Sequence, residues 1–104
     1  MAPANASSRA AARVQVVEKE YSLTLSRLRV PPGKVTIQVV NFGMDNHDLV
    51  IQPSRGSKSM WQTSLLPPEG IATKTFALKR GRYTLFCSLP GHRALGMVAT
   101  LTVT

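Results

Sequence analysis

The chain has little of what most small catalytic or cross-linked domains are built from. Its 104 residues include one cysteine, two histidines, six aromatic residues and only five acids. A single cysteine cannot close an intrachain disulfide, which excludes a disulfide-stapled secreted scaffold. It also excludes any zinc site that needs two or more thiolates. No apolar run approaches the ~20 residues that a membrane-crossing helix requires. Residues Met1 to Arg13 lack the apolar centre of a signal peptide. With 43% hydrophobic and 17% charged residues and no low-complexity block, the composition is that of a folded chain rather than a disordered one. The length suits one domain that buries about two-thirds of its unfolded surface.

What the chain has in excess is positive charge: 13 Lys and Arg leave a formal net charge of +8. These residues are scattered. The one run of note, Lys79-Arg80-Gly81-Arg82, falls between two strand patterns and reads as a solvated hairpin tip. Neither a basic helix nor an RNA-recognition aromatic motif is present, so no nucleic-acid partner is expected. A basic surface of this kind favours an acidic partner or an anionic membrane face.

Residues 1–13 are rich in Ala, Ser, Asn and Pro and are expected to form a flexible lead-in or tether, with the folded domain spanning 14–104. From Val14 onward the apolar period is two. Val14 and Val16, Leu23 and Leu25, and Val35, Ile37 and Val39 each alternate with polar residues. Pro31-Pro32-Gly33 separates two such runs as a turn. His47, Leu49 and Ile51 share a phase, as do Tyr83, Leu85 and Cys87, and Met97, Ala99, Leu101 and Val103. Ile71 to Leu78 is a further β-like run, and the irregular 53–70 stretch carries the only tryptophan, Trp61, expected to pack. Phe42, Phe76 and Phe86 are expected in the core. Seven or eight short strands with turn signals between them predict an all-β, two-sheet sandwich or Greek-key barrel.

His47, Cys87 and Met97 fall on the inward phase of three different strands, and His92 lies between the last two in the spacing Cys-x4-His-x4-Met. Strand ends and their connecting loop can gather such residues at one pole, with His47 arriving from the facing sheet. Two imidazoles, one thiolate and one thioether form a soft mixed set that suits copper in both oxidation states, with a trigonal His2Cys plane and a weak axial Met. Zinc gains little from a thioether. Each residue alone has an ordinary structural explanation as core filler. Together, both histidines and the only cysteine fall at metal-ligand spacing.

The segment Tyr83-Thr84-Leu85-Phe86-Cys87-Ser88-Leu89-Pro90-Gly91-His92-Arg93-Ala94-Leu95-Gly96-Met97 resembles the copper loop of the cupredoxins, or blue copper proteins. Asn41 to Ile51 resembles their upstream ligand segment. The long spacing on both sides of His92 is most similar to the auracyanin, sulfocyanin and rusticyanin branch. The resemblance implies a cupredoxin-like Greek-key β-sandwich holding one copper ion in a type 1 site. It implies His47, Cys87 and His92 as equatorial ligands and Met97 as the axial one. His92 is then the partly exposed ligand through which electrons pass, ringed by Leu89, Pro90 and Leu95, with Arg93 beside it for docking. Asp48 stands where many relatives carry Asn, and it is placed to accept a hydrogen bond from Ser88 or its amide, supporting the ligand loop.

The expected function is single-electron transport between redox partner proteins that present an acidic docking surface, by a monomer that is not an enzyme. An enzyme is disfavoured because the strand phase buries Cys87, and because two histidines cannot supply the His-x-His pairs of multicopper oxidases. The alternatives are a copper-delivery module, with Met44 and Met60 forming a second thioether-rich site, or one domain of a larger redox enzyme. The family and copper's availability point to an extracytoplasmic location, periplasmic or at the cell surface. The export segment is then absent from this chain, and the lead-in is suited to tether the full-length protein to a membrane.

Overall fold

The period-two pattern resolves into nine strands in a computed structural model that describes residues 11–104. The strands are β1 (Ala12–Lys19), β2 (Ser22–Leu25), β3 (Arg29–Val30), β4 (Gly33–Asn41), β5 (Val50–Pro53), β6 (Trp61–Gln62), β7 (Ile71–Leu78), β8 (Gly81–Phe86) and β9 (Val98–Val103). One four-residue helix, α1 (His92–Leu95), lies in the β8–β9 connection. The count exceeds the expected seven or eight because β3 and β6 are two-residue pairings too short to show a period. β1 starts at Ala12, so Ala12 and Arg13 belong to the sheet rather than to the lead-in. The remainder of that lead-in, residues 1–10, lies outside the described residues.

The sandwich has a four-stranded sheet in the order β2-β1-β4-β7 and a five-stranded sheet in the order β3-β9-β8-β5-β6. β1 pairs β4 in parallel, and β3 pairs β9 in parallel; the remaining pairs are antiparallel. The inward-facing residues of both sheets, including Val14, Val16, Ile37, Val39, Ile51, Leu85 and Leu101, are buried and form one core. That alternation fixes the register, because a one-residue slip would turn the whole apolar set outward. Trp61 packs against Phe76 with ring centroids 5.7 Å apart. Phe42 departs from expectation: it follows the end of β4 and is 57% exposed.

The strand directions place β1, β4 and β8 ends, and β2, β5, β7 and β9 starts, at one pole. Asn41 organises that pole. Its buried amide donates to the carbonyls of Asp45 and Leu66, both at 2.8 Å, and its Oδ1 accepts from the Gly43 amide at 2.8 Å. These bonds hold the β4–β5 connection in shape and leave few buried polar groups unpaired there.

Candidate metal centre

Three connections meet at this pole. Cys87 is the residue after β8, and Met97 precedes β9, so strand pairing fixes both backbones; the Cys87 amide donates to the Met97 carbonyl at 3.1 Å. His92 opens α1 between them. His47 sits in the β4–β5 connection and is held by a two-way backbone bridge to Leu66. It leads into β5, which neighbours β8 in the same sheet; it does not arrive from the facing sheet as its phase alone implied.

His47, Cys87 and Met97 are fully buried, and His92 is partly exposed. The Nδ1 atoms of the two histidines lie 3.2 Å apart, and Cys87 Sγ lies 3.9 Å from His47 Nδ1 and 3.6 Å from His92 Nδ1. A trigonal ion bound at ~2.0 Å by nitrogen and ~2.3 Å by sulfur requires N···N near ~3.5 Å and N···S near ~3.7 Å. The triangle therefore has the dimensions of one first-row metal ion, and its donors are two imidazoles and a thiol. Among the described residues no other group of three such donors converges.

The surrounding groups orient these donors. Asp48 Oδ1 accepts from the Ser88 amide at 2.7 Å, and Oδ2 accepts from the Ser88 hydroxyl at 2.5 Å and from Gln62 Nε2 at 3.2 Å. The β5 segment is thereby stitched to the residue next to Cys87. Burial by itself would raise the Asp48 carboxyl, but the Ser88 hydroxyl and amide and Gln62 together hold it below the ordinary range. Burial pushes the Cys87 thiol above its ordinary value. A metal must displace that proton, so affinity rises with pH.

Two residues at the site had no warning in the sequence. Glu20, in the β1–β2 turn, accepts from His47 Nε2 at 2.5 Å, and also accepts from the amides of Met44 at 2.8 Å and Asp45 at 3.1 Å. The Met44 and Asp45 amides, with His47, hold its carboxyl down at about 2. Tyr21, the next residue, sets its ring edge-on to His92 at 5.1 Å. Glycines admit this turn. A Cβ at Gly96, whose φ is +133°, would lie 2.6 Å from the Tyr21 carbonyl, and one at Gly43 would overlap the Glu20 carboxylate. A Glu-Tyr pair in a hairpin turn ordinarily faces water, and only the tertiary approach of the turn reveals it.

The family of copper binding proteins that includes plastocyanin and azurin matches residues 10–104. The chain is a cupredoxin. The fold of this cupredoxin is similar to that of an auracyanin from the photosynthetic bacterium Roseiflexus castenholzii, with 23% identity and a TM-score of 0.71 over 91% of this chain and 98% of that one. It is also similar to rusticyanin from Thiobacillus ferrooxidans, with 20% identity and a TM-score of 0.72 over 91% and 79% of the two chains. Auracyanin A of Chloroflexus aurantiacus, a "blue" copper protein, is 18% identical with a TM-score of 0.68 over 91% of this chain and all of that one. No curated protein sequence matches it. Copper is the metal that the family binds and that the donor set fits.

Around His92 the surface is apolar. Leu95 is 61% exposed, Pro90 is exposed and Leu89 is partly so. Tyr21, Met44 and Leu65 add exposed apolar surface on the neighbouring loops. The Arg93 guanidinium stacks over the Phe86 ring at 4.1 Å from its centroid. Among the described residues no helix is long and apolar enough to cross a membrane.

Proposed function

We propose that this cupredoxin is a one-electron carrier, not an enzyme, and that His47, Cys87 and His92, together with Met97, would hold its copper. The observation that carries the reading is a donor triangle closed by protein on every side except that of His92, with an apolar rim around the opening. Copper held there would supply a one-electron couple. The chain's own part is to keep a single donor geometry for both charge states. Strand pairing fixes Cys87 and Met97, the Leu66 bridge fixes His47, and Asp48 with Ser88 fixes the loop between them, so little has to move when the charge changes.

The partly exposed His92 ring is the contact point for a redox partner. Leu89, Pro90 and Leu95 exclude water from a brief encounter, which favours fast release as well as fast transfer. Arg93, the residue after His92, is exposed and is suited to meet an acid on the partner. The domain works outside the cytoplasm, and the residues before β1 serve as a lead-in or tether. Replacing Leu95 with Asp tests the docking role. Transfer to a partner should slow about tenfold or more while the visible spectrum stays unchanged, whereas Thr73→Asp on the opposite sheet should leave the rate within about twofold. Equal slowing by both would remove the His92 edge from the account.

A further inference from the structure

The acids and a cluster of bases of this protein stand at opposite ends of the sandwich. Glu18 is the last residue but one of β1, Glu20 accepts from His47 and from the Asp45 amide, Asp48 bonds Ser88, and the Glu69 amide bonds the Asn41 carbonyl at 2.6 Å. All five acids of the sequence therefore stand at the metal pole. The opposite pole carries only bases. Arg29 and Arg82 flank Thr102 in one row across β3, β9 and β8. The Ser54 amide bonds the Arg82 carbonyl at 2.9 Å, bringing Arg55 alongside. Lys34 stands at the start of β4 opposite the end of β7, and Lys79 and Arg80 join β7 to β8. All six are exposed. Arg55, Arg80 and Arg82 line an open cleft of about 690 Å³ with Ser54 and Tyr83. From Gly81 to Phe86 the strand length puts this pole about 20 Å from Cys87.

We propose that this basic pole is a docking surface for an anionic phospholipid bilayer, which holds the protein with its His92 edge turned away from the membrane. The six bases come from both sheets and several hairpin tips, so they spread across the whole end of the sandwich and are not confined to the cleft that Arg55, Arg80 and Arg82 line. Guanidinium forks match phosphate oxygens in pairs, and four of the six are arginines. The exposed large apolar side chains of the described residues gather mainly at the metal pole, and only Leu28 borders this one. A protein interface here would lack the apolar centre that such interfaces have, while adsorption to charged headgroups needs none.

Vesicle co-sedimentation of the copper-loaded protein tests the assignment. Vesicles of phosphatidylcholine containing phosphatidylglycerol should bind it, vesicles of phosphatidylcholine alone should not, and added salt should release it. Arg80→Gln with Arg82→Gln should weaken binding roughly 30-fold. Lys34→Gln with Arg55→Gln, on other hairpins, should do the same if the first pair disturbs the fold. Lys19→Gln with Arg93→Gln removes equal charge at the metal pole and should cost about threefold or less. Equal losses from distal and metal-pole pairs would mean that net charge alone is responsible, and would overturn the proposal. So would failure to bind the anionic vesicles while soluble polyglutamate binds, which would assign the pole to an acidic protein.

Discussion

Glu20 reaches from the β1–β2 turn to bond Nε2 of His47 at 2.5 Å, on the side of the ring opposite the metal triangle. With Nε2 carrying its proton toward the carboxylate, the Nδ1 lone pair is left for the metal. The carboxylate also adds negative charge behind a ligand, which favours the more highly charged Cu(II). Glu20→Gln keeps a neutral acceptor and removes the charge. The reduction potential should rise by on the order of 50 mV, near a tenfold change for a one-electron couple. Copper affinity should fall about 10-fold or more. An unchanged potential in voltammetry would deny Glu20 any influence on the metal.

Glu18 sets a second expectation, for stability. Both of its carboxylate oxygens are buried without a hydrogen-bond partner. Burial, reinforced by the Asp48 charge, raises its pKa to about 8. The folded state thus keeps a proton that the unfolded chain loses near pH 4.5. Folding stability from this group is at its greatest below about pH 4.5 and declines as pH rises toward 8. Glu18→Gln should remove that decline and stabilise the protein at pH 8 by roughly 2 kcal/mol, as read by urea unfolding at the two ends of the range. Glu20 acts in the opposite sense: its contribution is present above pH 4.5 and is lost as pH falls through about 2.

The sandwich was legible because Val14 and Val16, Val35, Ile37 and Val39, Tyr83 and Leu85, and Leu101 and Val103 recur at a period of two and are buried. The metal set was legible because Cys87, His92 and Met97 lie on one hairpin connection, where sequence spacing translates almost directly into distance. Glu20, Tyr21 and the charge segregation were not. They depend on which turn approaches which loop and on the direction of each strand, and neither has a local sequence signal. Phe42 was misjudged for a related reason: it comes one residue after β4 ends, where the inward phase no longer governs.

Gly96 marks the closest approach of the turn to the ligand loop. Gly96→Ala combines a φ of +133° with a Cβ 2.6 Å from the Tyr21 carbonyl. The turn and the loop must separate, drawing Glu20 from His47 and destabilising the fold by about 2 kcal/mol or more. Calorimetry should show the lower Tm and voltammetry a potential shifted in the direction of Glu20→Gln. A fully native Tm would show that the two segments are not in contact in solution.

Asp48 ties the loop from the other side. Asp48→Ala leaves the Ser88 amide without its acceptor and should destabilise the protein by about 1–3 kcal/mol. Broader copper signals in the EPR spectrum are expected as the ligand loop loosens, and Asp48→Asn should restore most of the loss. If the alanine variant matches the wild type in both stability and spectrum, Asp48 and Ser88 do not support the site.

The central claim, a single copper held by the Cys87 thiolate between two imidazoles, is tested most directly by titrating metal-free protein with Cu(II) while recording visible absorption. An intense thiolate-to-copper band should grow to saturation at one copper per chain, vanish on reduction and return on oxidation. Binding without that band, or continued binding beyond one equivalent, would contradict the claim and leave copper delivery as the better account.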